Sequence, residues 1–141
     1  MSWGESRHAL GVADMDATHR EFVELAYALI VAADEEFPVL FACLHEHTRA
    51  HFEHEGKLMK QCRFPATGEH NSEHLRVLGE LAHFARSVAG GRIGMARNYA
   101  RSLPAWFDVH LATMDAALAS CLKRDRSVGS KLLPVYGWCV K

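Results

Sequence analysis

Apolar residues recur at three- and four-residue steps in four successive stretches, separated only by short Gly- and Pro-containing punctuation, with no strand-like alternation of any length. This pattern restricts the chain to an all-α fold. The first stretch carries Phe22, Leu25, Ala26, Leu29 and Ala33, and predicts a helix over 18–34 opened by a Thr18/Glu21 capping box. The second, 38–62, begins with Pro38 at its first turn and continues through Phe41, Leu44, Thr48, Phe52, Leu58 and Met59 until Phe64, Pro65 and Gly68 stop it. The third, 69–88, rests on Leu75, Leu78, Leu81, Ala82 and Ala85 and ends at Gly90-Gly91. The fourth, 93–123, holds Pro104, which predicts a bend there or a restart with Ser102 as N-cap.

Connections of a few residues force neighbouring helices antiparallel. The expected architecture is an up-down-up-down four-helix bundle with an N-terminal arm and a C-terminal tail over 124–141, the tail packing back across the helices. With 141 residues and 49% apolar composition, one domain with a real core is expected over 1–141.

Charge excludes several classes of function. Sixteen Lys and Arg against seventeen Asp and Glu provide no positive field for nucleic acid or an anionic membrane face. The first residues lack a hydrophobic signal core, and Leu25 to Ala33 is too short to span a bilayer, so a soluble, unexported, cytoplasmic and monomeric protein is expected. Cys43, Cys62, Cys121 and Cys139 form no Cys-x-x-Cys pair and read as reduced thiols.

Ten histidines are the compositional anomaly. Residues four apart on a helix are turned by about 40° and rise by about 6 Å, so their side chains reach one point in space. His51 with Glu55, and His70 with His74, are such pairs, each on a face that its apolar neighbours assign to the core. His19 falls in line with Phe22 and Ala26, where an unpartnered imidazole is costly to bury. His110 and Asp115 are five apart, about 140° on an ideal α-helix, so regular geometry does not unite them. An approach by a bridging carboxylate from a flanking position would do so, and so would a local π-bulge. Five imidazoles and two carboxylates, drawn from four helices and all facing inward, point to a metal cluster.

In this order and spacing the residues resemble the hemerythrin family, bacterial single-domain members in particular, up to about Lys123. Asp16-Ala-Thr-His19 is similar to the family's Asp-x-x-His, and His51-Phe52 through Glu55 with Met59 to its His-Phe-x-x-Glu and following Met. His70 and His74 match its His-x-x-x-His, while Trp106, His110 and Asp115 match its Trp before His-x-x-x-x-Asp; Trp3 resembles an aromatic of its N-terminal arm. Gly56, where a second acid is usual, Pro104 and the tail depart from the pattern without removing a matched residue.

The resemblance implies two non-haem irons bridged by Glu55, Asp115 and an oxo or hydroxo group. His70, His74 and His110 would complete one iron; His19 and His51 would leave the other a position short, where dioxygen binds. The implied function is reversible dioxygen binding without catalytic turnover, for storage or for delivery to an oxygen-consuming enzyme. Sensing of oxygen, nitric oxide or redox state is the first alternative and a di-iron oxidase or peroxidase the second. Phe22, Phe52, Trp106, Leu111 and Met114 are candidate pocket walls or plain core. His8, His45, His47, His54 and His83 match no ligand position and are expected at the surface or half-buried, and Glu80 with His83 only superficially fits the Glu-x-x-His of ferritin-like enzymes.

Overall fold

The structure is a computed structural model in which residues 3, 4 and 8–125 are described. Helix α1 spans Ala13–Ile30, α2 Phe37–Cys62, α3 Thr67–Ala89 and α4 Gly94–His110; a π-helical turn, Leu111–Asp115, joins α4 to α5, Ala116–Arg124. Backbone angles stay right-handed helical through both junctions, so α4, the turn and α5 make one rod. The four rods form a four-helix bundle in which α1 packs on α2 and α4, and α3 on α2 and α4.

The apolar stripes meet as two clusters. Phe22, Leu25, Leu29, Phe37, Phe41, Leu44, Leu81 and Phe107 belong to the larger one, near the α1–α2 connection. Met15, Leu58, Met59, Phe64, Leu118 and Leu122 belong to the smaller one, near the α2–α3 connection. Between them the core is polar, and the inward histidines lie there.

Several boundaries differ from the sequence expectation. Helix α1 begins five residues earlier, at Ala13, with Asp14 and Asp16 in its first turn, where carboxylates suit the positive end of the helix dipole. Thr18 is therefore inside the helix, its hydroxyl donating to the Asp14 carbonyl at 3.0 Å, and the Thr18/Glu21 capping box does not form. Asp16 instead accepts the Leu10 and Gly11 backbone N–H groups, at 2.8 and 3.1 Å, and fastens the arm to the helix start. α1 also stops at Ile30, leaving Ala33 exposed.

Helix α2 ends as expected before Phe64, with Arg63 in the left-handed conformation at φ 55°. In α3 the buried face is His70, His74, Val77, Leu81 and Val88. Leu75, one residue past His74 and so turned about 100° from it, is 69% exposed and carries none of the core. α4 runs through Pro104 without restarting; the Ser102 hydroxyl donates to the Tyr99 carbonyl at 2.6 Å and caps nothing. No helix among the described residues is long and apolar enough to cross a membrane. The expected packing of the tail lies, from residue 126 onward, outside the described residues.

Candidate metal centre

The bundle brings all seven candidate ligands together. α1 supplies His19, α2 His51 and Glu55, α3 His70 and His74, α4 His110, and the π-helical turn Asp115. None is more than 3% exposed. The five-residue spacing of His110 and Asp115 is resolved by that turn, in which the Ala116 N–H bonds back five residues to the Leu111 carbonyl. The widened turn swings Asp115 beneath His110, with Nε2 and Oδ1 3.2 Å apart.

Each carboxylate faces two ways. Glu55 Oε2 lies 3.0 Å from His19 Nε2 and 2.8 Å from His51 Nε2, while its Oε1 lies 3.5 and 3.3 Å from the Nε2 atoms of His70 and His74. Asp115 repeats this: Oδ2 is 3.2 Å from His19 Nε2, and Oδ1 is 3.0 Å from His70 and 3.2 Å from His110. The cluster thus divides into a two-histidine side and a three-histidine side that share both carboxylates.

Most of these short approaches are not aligned as hydrogen bonds. Oε1 of Glu55, both oxygens of Asp115, and the Nε2 atoms of His70, His74 and His110 are buried without a hydrogen-bond partner. Burying so many unsatisfied polar atoms is costly unless something between them accepts their lone pairs. Neutral imidazole nitrogens and carboxylate oxygens are also the donors that suit iron. Glu55 with His70, His74, His110 and Asp115, and Glu55 with His19 and His51, each present donor atoms within 4.8 Å of one another, as shared coordination requires.

Without metal, protons take its place. Burial disfavours a charged His19, yet Asp115 and Glu55 push its pKa up to about 10. His70, likewise opposed by burial, is raised by Asp115 and Glu55 to about 9. His74 is lowered, because burial prevails there. Burial works against ionising both carboxyls; His51, His19 and His70 nevertheless hold Glu55 well below its usual range, and His19 and His110 hold Asp115 down despite Glu55 nearby.

Aromatic rings fix the imidazoles. Phe52 stacks on His74 with centroids 3.7 Å apart, and Trp106 on His110 at 4.8 Å. Trp106 Nε1–H donates to Glu73 Oε2 at 2.7 Å; Arg76, with help from that N–H, keeps the Glu73 carboxyl at about 2. Phe107 meets His19 edge-on at 5.3 Å and Phe22 meets His51 edge-on at 6.4 Å. Of the expected walls, Phe22, Phe52 and Leu111 are buried, whereas Trp106 and Met114 are half-buried.

Phe107 was absent from the expected walls, though its position three before His110 places it on the same helix face. The expectation also fails for two other histidines. His47 is fully buried, its Nε2 3.2 Å from Glu21 Oε1, because it lies one turn before His51 on the inward face. His8 is 2% exposed, held in the arm by the Gly4 N–H on Nδ1 at 2.9 Å and packed between Trp3 and Phe107. His45 and His54 are half-buried and His83 exposed, as expected, and Glu80 is engaged by Arg76 away from the cluster. Cys43, Cys62 and Cys121 are free thiols; Cys139 lies outside the described residues.

Fold and cluster together define a four-helix bundle with a histidine-carboxylate metal pocket in its core. No family model matches the chain. A bacteriohemerythrin of Ralstonia nicotianae is 32% identical over 122 residues, 86% of this chain and 88% of that protein. The chain belongs to the hemerythrin family. A crystal structure of wild-type hemerythrin superposes with a TM-score of 0.79 at 19% identity, covering 86% of this chain and 97% of that one. A point mutant of hemerythrin gives 0.79 at 19% identity over the same share of this chain. At such identities these structures speak for the fold.

Proposed function

We propose that the chain binds dioxygen reversibly at a centre of two non-haem irons, for storage or for delivery to an oxygen-consuming enzyme. The observation that carries this reading is the two-faced placement of Glu55 and Asp115, each with one oxygen toward His19 and the other toward His70. Carboxylates so placed suit a pair of ions better than one. His70, His74 and His110 would hold the first iron and His19 with His51 the second, which then has one protein ligand fewer. When bound, the ferrous pair supplies two electrons and an open coordination position.

The chain's own residues hold the site rigid and dry. Glu73 fixes the plane of Trp106, which fixes His110, while Phe52 fixes His74. Phe22 and Phe107 cover the two-histidine side with hydrocarbon, so water and an external acid are kept from a ligand there.

Metal analysis of protein purified with iron should give two irons per chain. Reduction under argon followed by air should produce a visible absorption that argon flushing removes, over repeated cycles. One iron per chain, or a single irreversible bleaching, would refute the proposal; sustained peroxide consumption would transfer the site to oxidase or peroxidase chemistry.

A further inference from the structure

The thiols of Cys62 and Cys121 stand outside the metal cluster and have no part in the function proposed for it. Cys62 is the last residue of α2 and half-buried, while Cys121 lies on α5 and is 6% exposed. They come together where these two helices meet: Cys121 Sγ donates to the Cys62 carbonyl at 3.1 Å, and the two thiols are themselves hydrogen-bonded. The pair is 59 residues apart in the chain, so no local motif marks it. Cys121 belongs to the smaller apolar cluster with Leu58, Met59, Leu118 and Leu122, and Cys62 packs against that cluster. Cys43 packs instead on the larger cluster. Two sulfurs held in contact can bond through side-chain rotation, with the helices left where they are.

Position gives the pair its relation to the metal centre. Cys62 follows Glu55 by seven residues on α2, and Cys121 follows Asp115 by six, so each lies about 10 Å along its helix from one of the two shared carboxylates. Parting α2 from α5 would pull those carboxylates away from each other. A covalent link between the helices opposes that motion.

We propose that Cys62 and Cys121 are a site of reversible disulfide formation, with hydrogen peroxide as the oxidant, and that the bond ties α2 to α5 beneath the cluster and slows the loss of metal. The effect on metal rests on the di-iron reading; the bond itself does not. Cys62, the half-exposed member, meets the peroxide first. Its thiolate attacks one oxygen, the O–O bond breaks, hydroxide leaves, and Cys62 becomes a sulfenic acid. The Cys121 sulfur then attacks the Cys62 sulfur and displaces that oxygen as a second hydroxide. With both thiol protons counted, two thiols and one peroxide give a disulfide and two waters, two electrons passing from sulfur to oxygen. Because burial and Cys121 push the Cys62 thiol up to about 12, the first step is slow, and the pair answers sustained rather than brief exposure.

Two measurements test it. The full chain, reduced with dithiothreitol, freed of it and then held for hours in hydrogen peroxide, should yield a linked Cys62–Cys121 peptide in mass spectrometry without reduction. The bond spans 59 residues, so the oxidised protein should melt roughly 10 °C higher, and dithiothreitol should restore the original Tm. Cys62→Ser, a change at a half-exposed helix end, should show neither the linked peptide nor the rise, which spares the test from depending on a variant at buried Cys121. No linked peptide, or a bond from either cysteine to Cys43 or Cys139 instead, would overturn the proposal. In iron-loaded protein the oxidised form should surrender iron to EDTA roughly tenfold more slowly than the reduced form. Equal rates would overturn the tie to the metal centre. A linked peptide with its rise in Tm, in a protein that never binds oxygen reversibly, keeps the site and removes the functional reading alone.

Discussion

Removing the metal should cost this chain a large part of its stability. Six atoms at the centre of the cluster, Glu55 Oε1, Asp115 Oδ1 and Oδ2, and the Nε2 atoms of His70, His74 and His110, are buried with no hydrogen-bond partner. At about 1–3 kcal/mol for each unsatisfied buried group, the total is roughly 6–18 kcal/mol, against about 5–15 kcal/mol of stability for an ordinary domain. Protonation of His19 and His70, raised to about 10 and about 9, offsets part of this by charging the pairs with Glu55 and Asp115. Taking the lower end, about 6 kcal/mol, and about 3–4 °C per kcal/mol for a chain of this size, the metal-free Tm should fall by roughly 20 °C. Reduction and chelation under argon, followed by thermal unfolding monitored by circular dichroism, measures the difference. The sign of the pH dependence is fixed as well. A pKa raised on folding stabilises fully below the unfolded value near 6.5 and ceases to do so as pH rises through the folded one, so the metal-free protein should weaken from about pH 6.5 to 10. A metal-free Tm within about 3 °C of the loaded one, flat over that range, would refute the reasoning.

Four further outcomes are expected. His110→Ala should lose much of the iron measured by plasma emission while His83→Ala, altering an exposed ring, keeps it; equal contents would contradict the ligand assignment. Gly56→Ala should stabilise by about 1 kcal/mol in urea unfolding, because Gly56 is mid-helix and an added Cβ meets nothing within 4 Å. Phe107→Ala should destabilise by about 3–5 kcal/mol, since the ring is 2% exposed and packs on Phe22, His19 and His8; a loss under 1 kcal/mol would mean the site collapses around it. Cys62, whose thiol is pushed up to about 12 by burial and the hydrogen-bonded Cys121, should resist iodoacetamide at pH 8, where only about one molecule in ten thousand is thiolate; labelling as fast as a free thiol in peptide mapping would contradict this.

The bundle was legible because helical periodicity is a local property, and the clustering of the seven residues because spacing four fixes a common face. His51 with Glu55 and His70 with His74 needed only that rule. What the sequence concealed depends on contacts between elements. The inward face of α3 is decided by what its histidines meet across the bundle, so Leu75 points outward although it extends an apolar pattern. Burial of His8 requires the arm to fold over Phe107, and no periodicity marks an arm. The Glu73 contact to Trp106 spans 33 residues and has no local trace. Helix starts failed for a related reason: Asp14 and Asp16 open α1 through the dipole and the arm's backbone, leaving Thr18 in the interior.

The π-helical turn shows how the two levels meet. A regular α-helix through residues 110–115 would direct Asp115 about 140° away from His110, and the three-histidine side would lose the oxygen that now lies 3.2 Å from His110 and 3.0 Å from His70. Neither helix propensity nor the apolar stripe asks for an extra residue in that turn. Leu111, 3% exposed, opens the turn and Leu118, fully buried, follows it, both at inward positions, so the core packs around the widened backbone. The distortion is thus held by hydrocarbon above and below, and Asp115 stays beneath His110 because moving it would also require moving Leu111 and Leu118. Deleting Thr113, an exposed residue within the turn, removes the extra residue while leaving both ligands in the chain. That deletion should restore α-helical bonding and leave His110 and the aspartate four apart on one face, so that the chain still folds as a helical bundle by circular dichroism and still retains two irons. One iron or none in the deletion variant would show that the widened turn itself, and not the shared face, holds the carboxylate at the cluster.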